Sequence, residues 1–163
     1  MAKDKNAIGD RGESIFTTRI SATYEFKVYF LGEKAPVGDF ILEINNEATP
    51  YECMVQVKST ESGKNKRDGR LKAKVPAGKM RKLINRPLPT YVAGVDVKTE
   101  EVFIAPAFNA THDYKKSIPV AHKLSASDPI VSQATITMLK NDIIDFWTRA
   151  KLTRAKAGFK TAL

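Results

Sequence analysis

The sequence predicts an α/β fold, a mixed sheet flanked by helices in the order helix, three strands, helix, two strands, helix. Three observations carry this. Aromatic and β-branched runs at 24–30, 37–45 and 51–60 follow one another across short polar links. A nearly continuous apolar run occupies 89–97, as a strand covered on both faces requires. Apolar residues recur at helical spacing near both ends of the chain. With 163 residues, 42% of them hydrophobic, the chain matches one ordinary domain over 1–163 with a real core.

Each element has its own reason. Residues 8–22 read as a helix with Asp10 as its cap, because Gly9, Glu13, Phe16 and Ile20 fall on one face; Gly12 lets a neighbouring chain come close. YEFKVYF (24–30), VGDFILEIN (37–45) and YECMVQVKST (51–60), joined by LGEKAP and NNEATP, predict an antiparallel meander. The polar, basic stretch 61–76, with Gly63 and Gly69, reads as an exposed loop or hairpin arm. A helix over 77–85 ends at Arg86-Pro87 and makes the third and fourth strands parallel across a right-handed crossover. Strands at 89–97 and 101–107 follow, then an irregular segment over 108–132. A last amphipathic helix over 133–157 presents Ile136, Leu139, Ile143, Phe146/Trp147 and Ala150 to the core, Trp147 being a core residue there.

Composition narrows the function classes. No apolar run approaches the ~20 residues of a membrane span, and 1–6 lack a signal peptide's apolar stretch. Cys53 alone can form no intramolecular disulfide or Cys-rich zinc site, and a reducing, cytoplasmic setting is expected. Twenty-seven basic residues against eighteen acidic give a net charge of +9, which implies a polyanionic partner, nucleic acid first. Residues 64–86 concentrate ten basic side chains with one acid, Asp68, and 149–160 hold five with none. Lys64, Lys66, Arg67, Arg70, Lys72 and Lys74 are the expected phosphate contacts.

The chemistry-bearing constellation is Asp39 with Gln56-Val57-Lys58. Sixteen residues separate Asp39 from Gln56, one short hairpin, so the two fall side by side on adjacent strands. Alternation puts Gln56 and Lys58 on one face and Val55 and Val57 on the other. A lysine among valines needs a partner, which Asp39 supplies, and Glu13 adds a carboxylate from an inward helix face. Such a set suits a hard divalent cation, Mg²⁺ with Mn²⁺ as substitute. It would be held by Asp39, Glu13, Gln56 and the Val57 carbonyl, with Lys58 positioning or deprotonating water and stabilising charge on a phosphate.

An R-G-E helix followed by D-(x16)-Q-x-K resembles the PD-(D/E)xK nuclease superfamily, and in particular the branch with glutamine in place of the usual acid, as in Mrr-like restriction enzymes. GDRGESIF, YFLGEKAPVGDFILEI, MVQVKST and PTYVAGVD also resemble a bacterial family of uncharacterised domains assigned to that superfamily. The resemblance spans roughly residues 8–107; Gly38 stands where the family's proline precedes the aspartate. It implies a restriction-endonuclease-like αβββαβ core with a C-terminal helix. It also implies a catalytic set of Glu13, Asp39, Gln56 and Lys58, and metal-dependent hydrolysis of phosphodiester bonds, DNA favoured, in phage defence or DNA repair.

Simpler roles exist for each residue. Lys58 could snorkel to water, Asp39 could serve a turn after Gly38, Glu13 could be solvated, and Gln56 could bond within the core. Glu43 shares the strand face of Ile41 and Asp39, with a secondary site role or a solvent role open to it. His112 and His122 lack a partner pattern for zinc. The competing functions are a non-cleaving nucleic-acid-binding module, for which Gln56 is the relevant feature, and an accessory subunit of a larger assembly. A homodimer would suit cutting both strands, and a partner protein would supply the sequence-reading domain missing here.

Overall fold

The computed structural model describes residues 4–32, 34–108 and 113–156, with side chains up to 152. Helix α1 runs Lys5–Ser21, followed by strands β1 (Phe26–Phe30), β2 (Phe40–Ile44) and β3 (Glu52–Thr60). Helix α2 (Ala77–Ile84) leads to β4 (Thr90–Asp96), β5 (Glu101–Pro106), the two-residue β6 (Lys123–Leu124) and α3 (Pro129–Lys156).

The strands form one six-stranded mixed sheet in chain order, β1 to β6. The meander is as expected: Phe30 pairs with Phe40 and Phe40 with Val55, both antiparallel. The crossover through α2 makes β3 and β4 parallel, with Gln56 opposite Val92 and Lys58 opposite Gly94. All seven residues of β4 are buried, which accounts for its nearly continuous apolar sequence between Thr90 and Asp96.

Two apolar clusters sandwich the sheet. Phe16 and Ile20 of α1 and Ile136, Leu139 and Ile143 of α3 pack on Cys53, Val55 and Val57. Met80 and Leu83 of α2, with Leu71, Val75 and Ile118, pack on Met54, Val92 and Phe103 of the other face. The alternation along β3 thus separates the valines from the face that carries Gln56. Gly12 is where α1 meets β3: a Cβ there would lie 2.4 Å from the Ser59 Cβ, so no larger residue permits this approach.

Several elements differ from the expectation, among them β2, which starts at Phe40 rather than 37. α1 starts at Lys5 and is capped by Asp4, whose carboxylate accepts from the Asn6 N–H at 2.9 Å, so Asp10 lies inside the helix. α3 starts at Pro129 because Asp128 accepts from the Ile130 and Val131 N–H groups at 3.0 and 3.1 Å, and proline suits a first helical turn. The segment expected to be irregular contains β6, whose Leu124 is buried against Val102 of β5. Stretch 61–76 does form an arm, bridged between Lys64 and Leu71, but Leu71 also pairs with Ile118. Leu71, Ala73 and Val75 are buried while Arg70, Lys72 and Lys74 alternate with them on the outside. Among the described residues no helix is long and apolar enough to cross a membrane.

Candidate functional site

Asp39 immediately precedes β2, and Gln56, Val57 and Lys58 lie on β3 beside it. The left-handed Gly38 (φ 80°) turns the chain into β2, and its N–H donates to Gln56 Oε1 at 3.2 Å. This turn aims the Asp39 carboxylate across the strand gap. Its Oδ2 accepts from Gln56 Nε2 at 2.5 Å and from the Val57 N–H at 2.6 Å. Gln56 Nε2 also donates to the Val57 carbonyl at 3.4 Å. Gln56 is 2% exposed, and every polar atom of its amide has a partner.

The four residues expected to act together do line one cavity of about 720 Å³: Glu13, Asp39, Gln56 and Lys58, with Val57 between the last two. Glu13 reaches it from α1, half-buried on the face that carries Phe16 and Ile20. Its charge, like that of Asp39, acts on the Lys58 ammonium and opposes loss of its proton. Burial nonetheless holds the Lys58 pKa below the ordinary lysine value, and the neighbouring Lys79 lowers it further. Asp39 is shifted the other way: burial raises its pKa against the Val57 N–H and the charges of Lys58 and Lys79. Both groups are thus biased toward neutrality.

Lys79 and Lys5 also line this cavity and were not singled out from sequence as site residues. Lys79 was one of ten basic residues in a run; only the docking of Met80 and Leu83 shows that it, rather than its neighbours, turns back toward Lys58. Lys5 precedes the apolar pattern of α1 and carries no local signal.

The basic arm, expected to contact phosphates beside the site, lies outside the cavity itself. Lys64, Lys66, Arg67, Arg70, Lys72 and Lys74 do not line the cavity; the arm leaves its rim at Glu61 and Ser62 and packs over the α2 face of the sheet. All six are exposed, Lys64 with its ammonium 5.0 Å from the centre of the Phe103 ring.

Other candidates resolve into structural roles. Glu43 accepts from Lys27 at 2.7 Å and from the Tyr29 hydroxyl at 3.3 Å, on the outer part of the sheet rather than in the cavity. Trp147 is half-buried and donates from its indole N–H to the Glu52 carbonyl at 2.8 Å. The carbonyl of His122 accepts from the Ile104 N–H; His112 lies outside the described residues, as do 157–163 of the basic tail.

Among the described residues no group of three or more His, Cys, Asp or Glu is placed to hold a metal ion. Asp39 Oδ2 and the Val57 carbonyl do converge, and the point they share is filled by the NH₂ of Gln56. An amide NH₂ between two oxygens occupies the electropositive position a cation would take. The residues fit a hard cation once the oxygen of Gln56, rather than its nitrogen, faces Asp39, at the cost of the bond from Gly38. Comparison of the chain with protein-family models, with curated proteins and with solved structures finds no match.

Proposed function

We propose that the chain is a metal-dependent nuclease that hydrolyses phosphodiester bonds, with DNA the favoured substrate. The observation that carries this is the convergence of Glu13 from α1, Asp39 from the start of β2, and Gln56 and Lys58 from β3 on one cavity. The net charge of +9 and the exposed Arg70, Lys72 and Lys74 of the basic arm support a polyanionic substrate.

In this reading Asp39, Glu13, the Gln56 amide oxygen and the Val57 carbonyl hold Mg²⁺ or Mn²⁺. The bound cation supplies Lewis acidity toward a phosphate oxygen and a more acidic water. Lys58, half-buried and shifted toward its neutral form, orients the attacking water and accepts its proton, or shields charge on the phosphate when protonated. Lys79, beside Lys58 on the cavity wall, provides a second positive charge for a phosphate oxygen. Sub-cluster rigidity comes from the sheet: Gln56 and Lys58 are fixed by the parallel pairing of β3 with β4.

The test is cleavage of supercoiled plasmid, linear duplex, single strands and RNA with Mg²⁺ or Mn²⁺, beside Lys58→Ala and a chelator control. Cutting that needs the cation and falls by about 10²-fold or more in the variant is expected, the scale on which a single stabilising group at a reacting centre acts. Metal-dependent cutting that survives intact in Lys58→Ala overturns the assignment. A second reading, a non-cleaving nucleic-acid-binding module or accessory subunit, is favoured by the Gln56 NH₂ already filling the cation position. It predicts salt-sensitive binding by a folded wild type that cuts none of these substrates.

A further inference from the structure

A second cavity, of about 1050 Å³, continues past the carboxylates on the α1 side of the sheet. It shares Lys5, Gly9, Glu13, Gly32 and Asp39 with the first, so the two form one trough with Glu13 and Asp39 at its waist. Phe30, at the end of the edge strand β1, lines this far arm and is 59% exposed. It is also held in place. Its ring centre lies 5.4 Å from that of Phe40, which in turn lies 5.2 Å from that of Phe16. Phe40 and Phe16 are buried at 3% and 0%, so three rings run from the core out to the trough. A ring held against Phe40 and still exposed presents a π-face at little further ordering cost, in an arm also lined by Val28, Lys5, Asp10, Ser14 and Thr17.

We propose that this arm of the trough takes an unpaired nucleobase of the substrate strand, stacked on Phe30, while the neighbouring phosphate lies at Asp39 and Lys58. The preferred substrate is then a single strand or a frayed end, because bases inside a duplex are stacked on their own neighbours and offer no free face. Lys58 and Lys79 supply positive charge on the first arm; on the far arm Lys5 faces Asp10, Glu13 and Asp39, so a neutral base stacked on Phe30 suits it better than a phosphate does. The placement at the reacting phosphate rests on the nuclease reading; the stacking does not. A second copy of the chain pairing along β1 is the competing occupant, but Phe30 turns toward Phe40 and the trough, not outward along the strand edge.

Binding and cutting are measured apart. Fluorescence anisotropy in chelator compares a labelled oligodeoxynucleotide, single-stranded and as duplex, for the wild type, Phe30→Ala, Phe30→Leu and Phe30→Trp. Phe30→Leu keeps an apolar contact with Phe40 but no stacking face, and circular dichroism checks that each variant folds. Tighter binding of the single strand by the wild type is expected. Phe30→Ala and Phe30→Leu should lose about tenfold or more of that affinity, the scale of one base–aromatic stack, with duplex binding unchanged. Phe30→Trp should keep the affinity and add quenching beyond that of Trp147. Wild-type affinity in both Ala and Leu variants, an equal loss on single strand and duplex, or a wild-type dimer in sedimentation that Phe30→Ala dissolves would each overturn the proposal. A wild type that binds as expected but cuts nothing with Mg²⁺ would sink the nuclease reading and leave the stacking site standing.

Discussion

The two ends of the β1–β4 sheet bury polar groups in opposite ways. At the end carrying Glu25, Glu52 and Tyr91, each polar group ties α3 to the sheet: Tyr91 donates to Asp142 at 2.5 Å, Trp147 to the Glu52 carbonyl at 2.8 Å, and Lys140 pairs with Glu25 at 2.5 Å. At the end carrying Asp39, Gln56 and Lys58, the Ser59 hydroxyl ties α1 down by donating to the Ile8 carbonyl at 2.9 Å, but Asp39 and Gln56 turn to each other instead. They satisfy one another in a cavity, and burial pushes both ionisable groups toward neutrality. Buried hydrogen bonds at the first end stabilise the fold; the second end holds charges under conditions that cost stability. Buried ionisable groups held in a cavity in this way are where function is to be sought.

The sharpest way to break this comparison is Gln56→Glu. If the Gln56 NH₂ fills a cation position, a carboxylate there meets Asp39 across the present 2.5 Å contact with no cation between them. In chelator the variant should lose stability at neutral pH, because two carboxyls this close must hold a proton between them that the unfolded chain releases. Mg²⁺ should restore part of it, about 2.7 kcal/mol at a hundredfold excess over the dissociation constant. Thermal melts with and without Mg²⁺ check this. A variant as stable as wild type in chelator and indifferent to Mg²⁺ would show that no cation position lies between Asp39 and Gln56.

The same contrast explains which features could be read in the sequence. The meander, the crossover and the inward face of α1 were legible because alternation and helical spacing act on every residue of an element. Asp39, Gln56 and Lys58 were legible as neighbours because strand alternation and one hairpin fix their relation. The start of α3 was missed because Asp128 and Pro129 also fit a loop, and only the bonds to Ile130 and Val131 decide the matter. Leu71, Ala73 and Val75 do alternate in the sequence, but the lysines between them hid a strand-like segment that packs on the sheet. Lys79 and Phe30 owe their positions to tertiary contacts with Lys58 and Phe40, for which a single sequence holds no local sign.

At the anchoring end the expected effect is smaller and of the same sign. Tyr91→Phe keeps the buried ring, 2% exposed, and removes only the hydroxyl that Asp142 accepts from. A loss of about 1–2 kcal/mol is expected, the range for a hydrogen bond to a charged group that keeps partial access to water. The midpoint in denaturant should fall while the slope stays unchanged, and nucleic-acid binding should match the wild type. Unchanged stability would mean that the Tyr91–Asp142 bond does not hold α3 down; lost binding would mean that the two ends are coupled.

Asp39→Asn should move stability the other way, and pH supplies the sign. Burial holds the Asp39 pKa above the ordinary carboxylate value, so the folded state binds that proton more tightly than the unfolded chain does. The contribution of such a group is full below the unfolded pKa, near ~3.9, and is lost as pH rises through the folded value. At neutral pH ionised Asp39 therefore costs stability, a cost that the neutral asparagine, whose oxygen can still accept from the Val57 and Gln56 N–H groups, does not carry. In chelator the variant should melt slightly above the wild type at neutral pH, and the gap should close as pH falls toward the unfolded value. Other carboxyls titrate alike in the two proteins, so the difference isolates this position. A wild type that is the more stable at neutral pH would mean that Lys58 and Lys79 compensate the buried charge in full, and that the cavity end is as well anchored as the other.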